Sequence, residues 1–232
     1  LSQASDNPSA RRAVRSFVVR GGRITAAQLR ARAQLWPLYG IGYEPHTLAL
    51  AQVFGRAAPC TLEIGFGNGE HLLARAAAEP ERDFVGVEVH RPGVGHLLLA
   101  AGAAGLGNLR IIEHDAVEVL REQIAPAALD EIEILFPDPW PKKRHHKRRL
   151  IQDAFVELLA SRLSARGRLH LATDWEPYAE HMLEVLRRCP ALENCDASGD
   201  YSALAAARAA TRFEQRGLRL GHAVRDLLFR RR

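Results

Sequence analysis

From residue 59 onward the chain alternates two textures, and that alternation limits the fold more than any other feature of the sequence. Short apolar runs, "CTLEI" (60–64), "DFVGVEV" (83–89), "LRIIE" (109–113), "EIEILF" (131–136) and "RLHLAT" (168–173), read as strands. Between them lie Ala- and Leu-rich stretches of helical length at 69–79, 93–104, 115–124, 149–164 and 175–188. A helix between successive strands returns the chain to the same end of the sheet, so the strands run parallel. The expected product is an α/β fold, a mostly parallel Rossmann-like sheet with helices on both faces. The tail "GHAVRDLLFRRR" is read as a late edge strand. Residues 1–35, polar at first and then a mixture of short apolar pieces and arginines, read as a flexible basic arm, leaving 36–232 as a single domain.

Sheets of this kind bind ligands at the carboxyl ends of their strands, near the switch in strand order. Each strand here ends on or beside a carboxylate: Glu63, Glu88, Asp115, Asp138 and Asp174. One such acid would be unremarkable as a helix cap, and "DAVE" after the third strand does fit a capping box at Asp115. Five on one rim point to a polar binding edge.

The turn in "LEIGFGNGEHL" carries Gly65, Gly67 and Gly69. A dinucleotide fingerprint would need glycine at position 70, where Glu70 stands, and an acid suits a pyrophosphate poorly. A nicotinamide-dependent oxidoreductase is therefore disfavoured. S-adenosylmethionine has no phosphate and carries two cationic centres that carboxylates suit. Glu88 is placed to accept from its ribose hydroxyls, and Asp115 lies near an adenine edge.

After the fourth strand comes "FPDPWPKKRHHKRR". Three prolines fix the backbone around Asp138 and pre-aim it. An acid there suits the N1–H and N2–H donors of guanine. Trp140 reads equally well as a loop anchor or as a stacking platform. The cations that follow, Lys142, Lys143, Arg144, Lys147, Arg148 and Arg149, with His145 and His146 among them, include every lysine in the chain. Residues 1–35, 142–149 and 208–232 together hold 21 of the 32 cations and 3 of the 27 acids, so an acidic body carries three basic segments. Such segregation fits a polyanionic partner. Cys60, Cys189 and Cys195 have no zinc-ligand spacing, so reduced thiols and no metal are expected. No apolar run reaches the ~18 residues of a membrane helix, and the first residues lack the apolar centre of a secretory signal. A cytoplasmic protein with no membrane contact is the expectation.

With these residues in view, the sequence resembles the bacterial tRNA (guanine-N7-)-methyltransferases. The matching pieces are "RSFVVRGGRIT", "LEIGFGNGEHL", "FVGVEVHRPGVG", "FPDPWPKKRHHKRR", "LATDWEPYAEHM" and "TRFEQRGLRLGH". The resemblance implies a methyltransferase fold and transfer of a methyl group from S-adenosylmethionine to guanine N7 in the tRNA variable loop, at position 46, leaving S-adenosylhomocysteine. It implies cofactor contacts at Glu63, Glu88, Asp115 and Asp138, with Asp138 also catalytic. It places substrate contacts at Lys142, Asp174, Thr211 and Glu214, and RNA contacts over 144–149. No obligatory protein partner is expected, and both a monomer and a homodimer fit. Two other readings remain, a methyltransferase acting on another RNA site or on free nucleosides, and an RNA-binding protein that keeps the fold without turnover.

Overall fold

A computed structural model describes residues 16–17, 24–202 and 223–232. In chain order it contains α1 (Ala26–Tyr39), β1 (Gly40–Ile41), α2 (Leu50–Phe54), β2 (Cys60–Ile64), α3 (Glu70–Ala78), β3 (Asp83–Val87), α4 (Arg91–Ala104), β4 (Leu109–Ile112) and α5 (Ala116–Glu118). A π-helical turn (Val119–Gln123), β5 (Leu129–Leu135), a 3-10 turn (Lys143–Arg148), α6 (Asp153–Arg162), β6 (Leu163–Thr173), α7 (Glu176–Arg188), β7 (Leu192–Asn194) and β8 (Arg225–Arg231) follow. The eight strands form one sheet in the order β1-β4-β3-β2-β5-β6-β8-β7. Pairings from β1 through β6 are parallel, and β8 runs antiparallel to both β6 and β7.

The five expected strands are all present. The tail is a strand too, but not at the edge: β8 lies between β6 and β7, burying Leu227 and Phe229. The true edge is β7, whose three residues are too short to carry a period-two signal. Two helices also differ. The stretch expected as one helix over 149–164 opens with non-helical residues 149–152, is α-helical only from Asp153 to Arg162, and ends in the first residues of β6. The stretch at 115–124 passes from α-helix into a π-helical turn. Residues 26–35 of the expected arm belong to α1, so the boundary set at residue 36 falls inside a helix. A capping box starts that helix: Gln28 N–H donates to Thr25 Oγ1 at 3.2 Å and Thr25 N–H to Gln28 Oε1 at 2.9 Å. Ala31 and Tyr39 bury themselves in the helical layer, and the Tyr39 hydroxyl donates to the Ala101 carbonyl.

Two apolar layers flank the sheet. On one face Ala31, Leu72, Val94, Leu97, Leu98 and Ala101 from α1, α3 and α4 pack on Phe84, Leu109 and Ile111. On the other, α6, α7 and the π-helical turn pack on Leu62, Val85, Ile132, Ile134, Leu169 and Leu171. Helix α7 earns its place there by periodicity, with Tyr178, Ala179, Met182, Leu183, Val185 and Leu186 buried along one stripe.

The first face is not apolar throughout. Over β2, β5 and β6 it carries two in-register rows, Thr61–Glu131–Arg168 and Glu63–Glu133–His170. Arg75 of α3 reaches both rows, lying 3.0 Å from Glu131 and from Glu133. His71 stands 3.3 Å from Glu133, and His170 bonds Asp226 of β8 at 2.6 Å. Burial pushes the Glu63 carboxyl up to about 8. Burial disfavours the His170 imidazolium, but its hydrogen bonds to Asp226 and Glu133 outweigh that and raise it to about 9.

Both raised groups stabilise the fold only while they hold their protons. The contribution of Glu63 drains as pH climbs from its ordinary 4.5 through about 8, and that of His170 from 6.5 through about 9. The thermal unfolding midpoint is therefore expected to fall steadily between pH 6.5 and about 9. His170→Gln should lower the midpoint at about pH 6 and flatten the slope above pH 6.5. Calorimetry showing the same slope in the variant and the parent would refute this account of the network.

Candidate active site

Strand β2 has β3 on one side and β5 on the other, so the chain leaves it in opposite directions and a crevice opens at its carboxyl end. A cavity of about 360 Å³ occupies that place. Ile64, Val87, Ile134, Leu135, Phe136 and Leu150 supply its apolar wall. Glu88, Asp115 and Asp138 supply the acids, and His90 and His114 stand beside them.

Gly65 and Gly67 adopt left-handed backbone angles, with φ of 75° and 58°. A Cβ on either would meet open space, so the two turns leave room for a ligand against bare backbone. The turn is tied from behind by Glu88. Its Oε2 accepts the Gly67 N–H at 2.8 Å, while its Oε1 accepts the N–H groups of Val89 at 2.7 Å and His90 at 2.9 Å. A carboxylate has about four acceptor sites. Three are used here, so accepting from both hydroxyls of a ribose requires one backbone bond to yield. Helix α4 closes the turn from the other side: a Cβ on Gly93 would sit 2.0 Å from the Gly67 carbonyl oxygen.

Asp115 does both things its sequence context allowed. It caps α5, accepting the Val117 N–H at 2.9 Å, and it lines the cavity. His114 stacks face to face on Tyr43 at 3.6 Å and bonds Glu118, which fixes its ring at the cavity wall. Glu63 lies elsewhere. It is 3 % exposed on the α3 face of β2, it is absent from the cavity wall, and its Oε2 has no hydrogen-bond partner among the described residues. Gly69 is also behind the wall, as the left-handed residue before α3. Glu63, His71 and Glu133 bring ligand atoms within 4.8 Å of one another. Arg75 on Glu133 already supplies the positive charge a metal ion would bring there.

The corner after β5 is bent hard. Phe136 and Trp140 both take positive φ, 54° and 44°, a conformation costly for aromatic residues. Between them Asp138 is exposed at the cavity mouth and makes no hydrogen bond or ion pair among the described residues. Trp140 is pinned. Its Nε1–H donates to the Ser16 carbonyl at 3.1 Å, His145 meets its ring edge-on, and Arg148 lies over it at 5.1 Å. The anchor reading of Trp140 thus fits this geometry, and the tie places Ser16 and Phe17 on the cavity wall.

The cations divide. Lys142, Lys143, Arg144 and Lys147 are exposed, and Arg148 is half-buried on Trp140. Arg149 is 4 % exposed and turned inward. A larger hollow of about 710 Å³ adjoins the first, sharing Ser16, Asp115 and Leu150 with it and adding Arg121, Lys147, Arg148 and Arg149. Asp174 follows β6 one strand beyond the corner and is half-buried, outside the cavity wall. Thr211 and Glu214 lie outside the described residues. Sequence reading missed the wall itself: His90, His114, Ser16, Phe17 and Leu150. For His114 a signal existed, since it directly precedes Asp115.

A family model described as "Putative methyltransferase" matches residues 57–227. A tRNA (guanine-N(7)-)-methyltransferase of Thiobacillus denitrificans is 57 % identical over 223 residues, covering 96 % of this chain and 97 % of the relative. Another bearing that name, from Methylobacillus flagellatus, is 55 % identical over 96 % of this chain and 93 % of its own. Among solved structures, the aminoglycoside resistance methyltransferase NpmB1 superposes with a TM-score of 0.52 at 14 % identity, covering 79 % of this chain and 92 % of that one. A 16S rRNA (adenine(1408)-N(1))-methyltransferase of Catenulisporales acidiphilia, with cosubstrate SAM, gives 0.51 at 16 % identity, covering 78 % and 89 %. At these identities the structures speak for the fold alone.

The contact between α4 and the glycine turn yields a direct test. Gly93→Ala should displace Gly67 and weaken S-adenosylhomocysteine binding by roughly tenfold or more, the factor equivalent to ~1.4 kcal/mol. Gly107→Ala, whose Cβ would meet nothing within 4 Å, is the control. Equal affinities for the two variants in titration calorimetry would show that the turn is not held from this side.

Proposed function

The chain belongs to the tRNA (guanine-N(7)-)-methyltransferase family, and from that premise we propose that it methylates N7 of a guanine in tRNA, using S-adenosylmethionine. The observation that carries this reading is Asp138, unpaired among the described residues, rigidly presented at the mouth of a cavity whose wall holds Glu88 and Asp115. Residues and cofactor fit each other. The open backbone at Gly65 and Gly67 leaves room for the amino-acid part, Glu88 and Asp115 lie where the ribose and adenine would meet acceptors, and the wall of described residues holds no lysine or arginine to repel a sulfonium. Bound there, S-adenosylmethionine supplies an electrophilic methyl group.

The protein's own part is positioning. Guanine N7 carries a lone pair and no proton, so no side chain has to act as a base. Asp138 accepts from the N1–H and N2–H edge and offsets positive charge as it grows on the base. Asp174, and Glu214 from the segment outside the described residues, share that task. Alignment of this kind is worth ~7–11 kcal/mol, and acceptors fixed in advance add to it because they need no reorganisation. The apolar wall of Phe136, Leu135 and Leu150 keeps water from the reacting centre.

Lys142 meets the target nucleotide, and Lys143, Arg144, His145, His146, Lys147 and Arg148 hold the flanking phosphates. The target lies in the variable loop, at position 46. No helix among the described residues is long and apolar enough to cross a membrane, and we place the protein in the cytoplasm with its tRNA substrate.

Incubation of bulk tRNA with methyl-labelled cofactor should yield 7-methylguanosine on nucleoside analysis, and free guanosine should remain unlabelled. A different methylated nucleoside would move the activity to another RNA site, and none at all would favour the binding-protein reading. Asp138→Asn should cut the single-turnover rate by about 10²–10³-fold, the usual scale for losing one fixed electrostatic group.

Exposed cations should govern affinity. Alanine at Lys143, Arg144 and Lys147 together should reduce the slope of log K against log salt by roughly two to three units, at ~0.7–0.9 for each phosphate no longer neutralised. Cofactor affinity should hold. An unchanged salt slope would remove the 3-10 turn from the RNA interface.

A further inference from the structure

Charge segregation and resemblance both place Arg149 among the RNA contacts, yet its surroundings describe a different task. It is 4 % exposed and makes no ion pair with a carboxylate among the described residues. A buried guanidinium stays charged, so its hydrogen bonds and ring contact must compensate for lost water. Its Nε–H donates to the Pro139 carbonyl at 3.0 Å, in the peptide group linking Pro139 to the strained Trp140. Its terminal nitrogen meets His146 Nε2 at 3.2 Å, and its backbone N–H donates to the His146 carbonyl. The guanidinium carbon lies over the Tyr178 ring, 4.8 Å from its centroid.

Tyr178 is fully buried in the first turns of α7, four residues after Asp174. Its hydroxyl accepts the Ile151 N–H at 3.3 Å, and His181, one turn further along, contacts the Ile151 carbonyl at 2.8 Å. Arg149 thus stands where the Asp138 corner touches α7, the helix that begins just after Asp174. The corner needs such a tie. Two aromatic residues with positive φ persist only where their surroundings over-determine them. Phe136 is held by its N–H bond to the Ala172 carbonyl, and Trp140 by Ser16 and Arg148. The peptide linking Pro139 to Trp140 is held by Arg149.

We propose that Arg149 is a positioning residue for methyl transfer: by bonding the Pro139 carbonyl and stacking on Tyr178, it fixes the Asp138 corner against α7 and touches neither RNA nor cofactor. The proposal rests on the methyl-transfer reading for its kinetic consequences. A lysine in its place keeps the charge and could still attract a phosphate, but it has no planar fork to span carbonyl and ring. Arg149→Lys is therefore the discriminating variant.

The expected result for Arg149→Lys is a fall in kcat on the order of 10²-fold, the scale for misplacing a catalytic group by about 1 Å. KM for tRNA and the salt dependence of binding should stay within about twofold of the parent. Arg149→Met should behave alike, and millimolar guanidinium should restore part of the kcat of Arg149→Ala. Thermal unfolding checks that each variant is folded. In a background with Trp36 and Trp175 replaced by Phe, acrylamide quenching of Trp140 reports the corner without turnover and should rise in both Arg149→Lys and Arg149→Met. That readout separates the tie from the chemistry: absence of methylated product in the parent would sink the function, and unchanged quenching would sink the tie. A lysine variant with parental kcat, or one with raised KM and a flatter salt slope, would return Arg149 to the RNA interface.

Discussion

The winding of the chain reverses at strand β2, and the binding rim is a consequence of that reversal. Because β3 and β5 flank it in parallel, the connections leaving β2 and β5 diverge at the same end of the sheet. Backbone there has no neighbour strand to cover it. The glycine turn and the proline corner are the two answers to that opening, one by removing side chains and the other by fixing dihedral angles. Glu88 binds the first answer to β3, and Arg149 binds the second to α7.

Charge is sorted by the same sheet. Glu63 of β2 and Glu131 and Glu133 of β5 fall on one face in two rows, where Arg75, His71 and His170 meet them largely out of water and Arg168 reaches Glu131 from the exposed side. Glu88, Asp115 and Asp138, past the ends of β3, β4 and β5, line the cavity, and most of the cations of 142–149 remain exposed. Glu63 and Glu88 show how little separates these fates. Glu63 is the last residue but one of β2 and points into the α3 face, whereas Glu88 is the first residue past β3 and turns to the rim. A displacement of two positions relative to the strand end decides between a buried, proton-holding acid and a cavity wall.

Much was legible beforehand for a physical reason. Helix and strand have different periods, so "CTLEI" followed by a glycine turn and "HLLARAAA" admits one local structure. Proline restricts its own φ and the residue before it, so the rigidity around Asp138 could be read without coordinates. The buried rows were also half-visible, since "EIEI" and "RLHL" alternate with period two where a fully covered parallel strand would be apolar throughout. What that alternation meant depended on register, which sets Glu133 opposite His170 and Glu63. Strand β7 and the inner position of β8 were not legible, because pairing partners far apart in sequence leave no local trace.

The sequence by itself determined the fold class, the alternation of the five central strands with helices, the acids Glu88, Asp115 and Asp138 just past strand ends, and the segregation of charge, since all of these follow from local propensity and residue type. Only the tertiary structure decided which identical residue types share a role. It turned Arg149 inward beneath Pro139 while leaving Arg144 in solvent, and it set Glu88 at the cavity while burying Glu63 under α3. Such choices are made by packing between segments dozens of residues apart. A side chain's chemistry is written in its identity, but what surrounds it is supplied by the rest of the molecule.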